Sequence, residues 1–225
     1  MRATLIIPAL DEAEVIGALV ARVPRGIVDE VIVVDNGSSD TTAREAAQAG
    51  ARVVSELRRG YGSACWAGVC ALGADTEVAI FLDGDGSQRP EEIPQVLGPI
   101  ADGRADFVLG ARVFAGHHPW HAILGTRLVA AFVTWRFGIR LRDIGPLRAI
   151  RVSLLRGLGM RDRAFGWPVE MVVKAAAQRA RVTEISVTHQ PRLGGRSKVA
   201  GTFGGSVRAG WAFMTVALRA TRDVS

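Results

Sequence analysis

Val78-Ala-Ile-Phe-Leu82-Asp83-Gly84-Asp85-Gly86 is an unbroken apolar run that ends at two carboxylates on a glycine turn. A strand apolar at every position suits a sheet covered by helices on both faces, as parallel sheets are. The same pattern recurs along the chain. Thr4–Pro8, Glu30–Asp35, Arg52–Ser55, Val78–Asp83 and Asp106–Ala111 read as strands. Glu12–Val23, Thr41–Gly50, Gly62–Gly73 and Pro90–Ala101 read as the helices between them. Asp40 is placed to N-cap the second helix, and Pro90 with Glu91 and Glu92 marks a first helical turn. This βαβ series predicts an α/β fold, a doubly wound and mostly parallel sheet with helices on both faces. Ligands in such a sheet bind beyond the carboxyl ends of the strands.

Three of the four strand ends examined carry carboxylates: Pro8-Ala-Leu-Asp11-Glu12, Asp35-Asn36-Gly37-Ser38-Ser39-Asp40 and Asp83-Gly84-Asp85-Gly86; the fourth is Gly110-Ala-Arg112. Asp83 and Asp85 can hold a hard divalent cation, Mg²⁺ or Mn²⁺, which would neutralise charge on a departing diphosphate. Gly84 and Gly86 allow close backbone approach of phosphate. A solvated Asp-Gly turn is the competing reading, weakened by the buried strand that precedes it. Asp35 can accept hydrogen bonds from a ribose or a base edge, and Gly37 opens the turn that leads to the next helix. Beyond Gly116 the pattern loosens into helices 120–137 and 166–180, a strand near 182–189 and a last helix 203–220.

Composition narrows the class. The chain has 225 residues, 48% of them hydrophobic, which suits one folded domain and argues against disorder. Two cysteines, Cys65 and Cys70, make no disulfide framework and read as core fillers in a reducing compartment. The net charge of +6 is unevenly spread: residues 1–80 are net −4, while 81–180 and 181–225 are each +5. All but Lys174 and Lys198 of the basic residues are arginines, whose forked donors suit phosphate. The arginines are not interleaved with stacking aromatics, so a nucleic-acid-binding module ranks last among the anionic partners. The opening residues read as a strand and not a secretory leader, and no run reaches the length of a membrane span. A cytoplasmic location is expected, free or peripheral at the cytoplasmic face of a membrane. The apolar stripe of Trp120–Gly138 fits either a core-facing helix or one lying in a membrane interface, and Trp211, Phe213 and Met214 pose the same choice. His117, His118 and His121 lack a carboxylate or cysteine at ligand spacing and read as a surface loop.

The set Ile7-Pro8-Ala9-Leu10-Asp11-Glu12, Val34-Asp35-Asn36-Gly37-Ser38-Ser39-Asp40 and Leu82-Asp83-Gly84-Asp85 resembles the family 2 inverting glycosyltransferases of GT-A fold. Within them it is most similar to the branch of dolichyl-phosphate mannose synthase and bacterial polyprenyl-phosphate glycosyltransferases. Asp143-Ile-Gly-Pro-Leu-Arg148-Ala-Ile, Phe165-Gly-Trp167-Pro-Val-Glu170-Met and Gly195-Arg196-Ser197-Lys198 match that branch in order and spacing. The resemblance implies one GT-A domain over 1–225: a nucleotide-sugar and metal half, 1–115, and an acceptor-side helical half, 116–225, with a basic loop at 191–200. It implies that Pro8, Leu10, Glu12 and Asp35 line a nucleotide pocket and that Asp83 and Asp85 hold Mg²⁺ or Mn²⁺ on the diphosphate of a GDP- or UDP-sugar. Arg112 and Arg127 would meet an acceptor phosphate, and Arg192, Arg196 and Lys198 would close over the donor. The acceptor implied is a polyprenyl phosphate; a small hydroxyl acceptor is the alternative. A hydroxyl would need a general base, for which the downstream motifs supply Asp143 and Glu170. Either carboxylate could instead be a partner of an arginine, Asp143 orienting Arg148 or its loop. Two positions depart from the branch: Asn36 stands where relatives usually have a second aspartate, and Ser87, with Gln88 next, where they often have glutamine. The third protein ligand to the metal is therefore open between Ser87 and Gln88.

Overall fold

The computed structural model describes residues 1–114, 121–194 and 215–216. Seven strands form one sheet: β1 (Ala3–Ala9), β2 (Glu30–Asp35), β3 (Arg52–Ser55), β4 (Val78–Phe81), β5 (Phe107–Phe114), β6 (Arg148–Arg151) and β7 (Val182–His189). Their order is β3-β2-β1-β4-β6-β5-β7. The pairs β1–β2, β1–β4, β2–β3 and β5–β7 are parallel, and β6 alone runs antiparallel to its neighbours β4 and β5. The helices are α1 (Ala13–Ala21), α2 (Thr42–Gln48), α3 (Tyr61–Cys70), α4 (Ile93–Ala101), α5 (His121–Phe137), α6 (Val152–Gly157) and α7 (Trp167–Ala177).

Strict alternation divides the strands' side chains between two core layers. Ile6, Ile32, Val34, Phe81, Phe107 and Leu109 face one layer with α3, α5 and α7. Leu5, Ile7, Val33, Ile80, Leu82 and Val108 face the other with α1 and α4. Covered on both faces, β1, β2 and β4 have almost no polar residue until their carboxyl ends. Those three ends lie side by side at the centre of the sheet, which brings the strand-end motifs together.

The structure refines several boundaries. β4 stops at Phe81, so Leu82 and Asp83 lie beyond the strand and lead into the turn at Gly84. A 3₁₀ turn, Pro90–Glu92, precedes α4. α2 starts at Thr42, one residue later than expected and with Thr41 at the cap position, yet Asp40 still accepts its first amide, Thr42 N–H, at 2.9 Å and the Ala13 amide at 3.2 Å. β6 and α6 are additions to the sequence reading. Cys65 is buried as expected, but Cys70 is exposed. α5 buries Val129, Ala130 and Val133 while Leu128 and Trp135 stay 52% and 79% exposed, so it has both a core face and an open apolar face. The cluster at His117 and His118, the basic residues Arg196 and Lys198, and the helix expected over 203–220 lie outside the described residues, apart from a helical pair at 215–216.

α3 sits close on β1 because Gly68 presents no side chain there: an added Cβ would press into Ile6 and stand 3.2 Å from Val34 Cγ2. Gly68→Ala should therefore destabilise the fold by about 1–3 kcal/mol despite the better helix propensity of alanine. The check is a lower urea midpoint at unchanged slope.

Candidate active site

The loops after β1 and β2 are locked to each other. Asp11 adopts the left-handed backbone (φ 50°), and its carboxylate accepts the Ser39 amide at 2.7 Å while its own amide donates to Ser38 Oγ at 3.0 Å. The Glu12 amide donates to Thr42 Oγ1 at 2.8 Å. Asn36, the first departure from the family pattern, is a clasp: its Nδ2 donates to the carbonyls of Glu56 and Arg58 at 2.8 and 2.9 Å, and its Oδ1 accepts the Gly60 amide at 2.8 Å. An aspartate could not supply those two donors. The clasp fixes the β3–α3 loop and with it Tyr61, the first residue of α3.

These loops and the β4 turn surround a cavity of about 500 Å³. Of the residues singled out from sequence, Pro8, Leu10, Glu12, Asp83, Gly84, Asp85, Arg112 and Arg192 line it. Asp83 Oδ1 accepts a hydrogen bond from the Tyr61 hydroxyl at 3.0 Å. Burial at the cavity floor, followed by the charge of Asp85, pushes the Asp83 carboxyl up to about 6. Asp85 Oδ1 accepts the Ser87 amide at 2.9 Å, and Asp85 Oδ2 lies 3.2 Å from the Arg192 guanidinium. Arg192 also donates to Glu12 Oε1 at 2.6 Å, so one cation bridges two carboxylates from opposite walls. Gly84 lets the turn approach β1: a Cβ there would stand 3.2 Å from the Pro8 carbonyl oxygen. Two hard oxygen donors on a turn narrow enough to exclude a side chain fit Mg²⁺ or Mn²⁺. Among the described residues no three His, Cys, Asp or Glu side chains form a ready-made cage, so a metal here would complete its shell with other oxygen ligands, from Ser87, water or a bound phosphate. Ser87 lines the cavity, whereas Gln88 is fully buried with its Nε2 2.7 Å from His189 Nδ1.

Arg112 also borders a smaller groove of about 130 Å³, shared with Phe114, Arg127 and Asp143. Its Nε and one terminal nitrogen donate to the two oxygens of Asp143 at 2.7 and 2.8 Å, and Thr126 bridges both groups at 2.8 Å. Burial alone would raise the Asp143 carboxyl, but the Arg112 hydrogen bonds and charge outweigh it and hold the group below the usual carboxylate value. Asp143 therefore orients Arg112 and not Arg148, and it is a poor proton acceptor.

Several expected residues lie elsewhere. Glu170 is buried on α7, 2.7 Å from Lys174, and accepts the amides of Arg161 and Asp162 at 3.0 and 2.7 Å. It anchors the 160–166 loop instead of facing the cavity, and its ionic partner is a lysine. Asp35 accepts the Ser38 amide at 3.0 Å and, with Gly37, shapes the loop behind the cavity wall. Tyr61, Arg59 and His189 line the cavity without having been singled out from sequence, and so does Phe165, which the sequence offered only as part of a motif. Tyr61 carried one available signal, being the only tyrosine in the chain.

The Glycosyl transferase family 2 profile matches residues 4–159, which span the cavity's strand ends. The chain belongs to this family. An uncharacterized glycosyltransferase of Mycobacterium tuberculosis is 42% identical over 208 residues, 92% of this chain and 93% of that one. The undecaprenyl-phosphate mannosyltransferase of Micrococcus luteus is 28% identical over 89% of this chain and 88% of its own. Among solved structures, the glucosyl-3-phosphoglycerate synthase of M. tuberculosis, in complex with Mn²⁺, UDP and glucosyl-3-phosphoglycerate, superposes with a TM-score of 0.79. That match is 21% identical and covers 98% of this chain and 80% of that one. At that identity the likeness establishes the fold, a GT-A-like α/β sheet, for this family 2 glycosyltransferase.

Its raised Asp83 carboxyl has a consequence for stability. The folded state binds that proton more tightly than the unfolded chain, so stability falls as pH rises from about 4 through about 6. Asp83→Asn, measured without divalent cation, should be more stable than the native protein at pH 7.5 by on the order of 1 kcal/mol, after allowance for solvent in the cavity. The difference should vanish near pH 4 in paired thermal melts.

Proposed function

We propose that this family 2 glycosyltransferase moves one sugar, with inversion, from a nucleoside diphosphate sugar to a polyprenyl phosphate. The observation that carries the reading is Arg112, which borders both the carboxylate cavity and the basic groove and is held rigid by Asp143. The nucleoside would lie along Pro8, Leu10 and Glu12, with the diphosphate over the Asp83-Gly84-Asp85 turn. Asp83 and Asp85 would hold Mg²⁺ or Mn²⁺, which as a Lewis acid stabilises the leaving diphosphate. Arg192, already at the cavity wall, supplies further positive charge toward the same group.

In the groove, Arg112 and Arg127 position the acceptor phosphate. One anionic phosphate oxygen forms a bond to the sugar's anomeric carbon as the bond from that carbon to the diphosphate breaks, and the diphosphate leaves with the electron pair. No proton has to move. Asp143 is committed to Arg112 and Glu170 to Lys174, which suits an acceptor that needs orientation and no base. The open face of α5, with Leu128, Ala131 and Trp135 at helical spacing beside Arg127 and Arg136, fits the peripheral docking a lipid acceptor requires. No helix among the described residues is long and apolar enough to cross a membrane.

The test is transfer of labelled sugar from GDP- and UDP-sugars, with Mn²⁺, to a polyprenyl phosphate or to 3-phosphoglycerate. Lipid-linked product alone is expected, and Asp85→Ala should reduce turnover by about a thousandfold or more. Asp143→Asn should raise the KM for the lipid phosphate about 10-fold or more by freeing Arg112. Product on 3-phosphoglycerate alone would overturn the acceptor assignment.

A further inference from the structure

Arg148 is among the largest fully buried side chains of the protein, and a buried guanidinium needs a reason. Its Nε and one terminal nitrogen have no hydrogen-bond partner among the described residues. Among the described residues no carboxylate lies within ion-pair distance of it. Its surroundings are the rings of Phe81 and Tyr61, 5.1 and 6.0 Å from the guanidinium carbon, and the buried thiol of Cys65. An apolar residue would fill this space without the cost of desolvating a charge. Its side chain donates to the Tyr61 hydroxyl oxygen at 3.0 Å, and that hydroxyl contacts Asp83 Oδ1 at 3.0 Å.

The direction of this chain follows from its members. A guanidinium can only donate, so the Tyr61 oxygen accepts from it. A phenol has one proton; the buried Cys65 thiol beside it stays neutral and is a weak acceptor, so the Asp83 carboxylate, with Oδ1 at 3.0 Å, receives it. We propose that Arg148 and Tyr61 are positioning residues that aim the Asp83 carboxylate at the donor. Tyr61 holds one oxygen, and the other would be available to the divalent ion that accompanies the donor diphosphate. The inference rests on the donor-site assignment made above.

Three elements carry the arrangement. Arg148 pairs with Phe81 on the neighbouring strand, two residues before Asp83, so β6 starts beside the point where β4 runs into the turn. Tyr61 opens α3 next to Gly60, whose backbone (φ 143°) excludes a side chain against the Arg163 carbonyl. Phe165 stacks on the Tyr61 ring at 6.2 Å and closes it from the far side. The 160–166 loop that bears Phe165 is the one anchored by Glu170. Partners behind a metal-ligating carboxylate fix its orientation, and losing them costs roughly 10–100-fold in metal affinity.

The experiment is calorimetric titration of Mn²⁺ with a nucleoside diphosphate into native protein, Tyr61→Phe, Asp83→Asn and the double variant. Tyr61→Phe, which keeps the ring, should weaken metal-dependent binding about 10-fold or more. In the Asp83→Asn background the same change should cost less than about twofold, because the group it positions is gone. A second pair guards against a fold defect: Arg148→Gln keeps a donor for the Tyr61 oxygen and should retain most of the affinity, while Arg148→Met should behave as Tyr61→Phe does. Native affinity in Tyr61→Phe, with Asp83→Asn impaired, overturns the positioning role alone. Native affinity in Asp83→Asn overturns the donor-site assignment beneath it, and the positioning role with it.

Discussion

Two carboxylates separated by a single glycine on a tight turn repel each other, and the rest of this structure answers that repulsion. Asp83 and Asp85 stand at the end of a strand buried on both faces, where little water screens them. The charge of Asp85 is one reason the Asp83 carboxyl titrates near 6. Arg192 meets Asp85 from one side, and Arg148 reaches Asp83 through Tyr61. The site is poised for positive charge: it tolerates two acids together only where cations converge. A nucleotide diphosphate cannot enter so acidic a turn unaided, which is the physical argument for a divalent ion travelling with it.

The sheet supplies the geometry this needs. Parallel strands β1, β2 and β4 end side by side, so loops far apart in sequence become adjacent walls. The antiparallel insertion of β6 between β4 and β5 delivers Arg148 beside the strand end that leads to the carboxylates, and β5 delivers Arg112 to the opposite rim. Negative charge thus gathers from the first half of the chain and positive charge from the second. At the cavity the carboxylates of Glu12, Asp83 and Asp85 face the guanidinium groups of Arg59, Arg112 and Arg192.

Much of the frame was legible because its signals are local. β2, β3 and β7 occupy the bounds their apolar runs announce. Asp83 and Asp85 were found by the rule that ligands bind beyond strand ends. β6 escaped notice because arginines bracket only two apolar residues, and a strand that buries a cation at its first position breaks the pattern by which strands are recognised. The partners of the site residues were hidden for a different reason: Tyr61 meets Asp83 across 22 residues, Arg112 meets Asp143 across 31, and Arg148 meets Tyr61 across 87. No spacing rule reaches that far. Asp143 and Glu170 each had the composition of a general base, and only their neighbours, Arg112 and Lys174, reveal what they hold.

If two opposed charge fields at one cavity define the protein, nucleotide and metal must bind together. Thermal melts of the native protein with GDP or UDP, each with and without Mn²⁺, put this most directly. The account predicts a clear rise in melting temperature only when one of these nucleotides and the ion are both present, by mass action on the folded state. An equal rise with nucleotide alone, or none with either nucleotide in the presence of Mn²⁺, would contradict it.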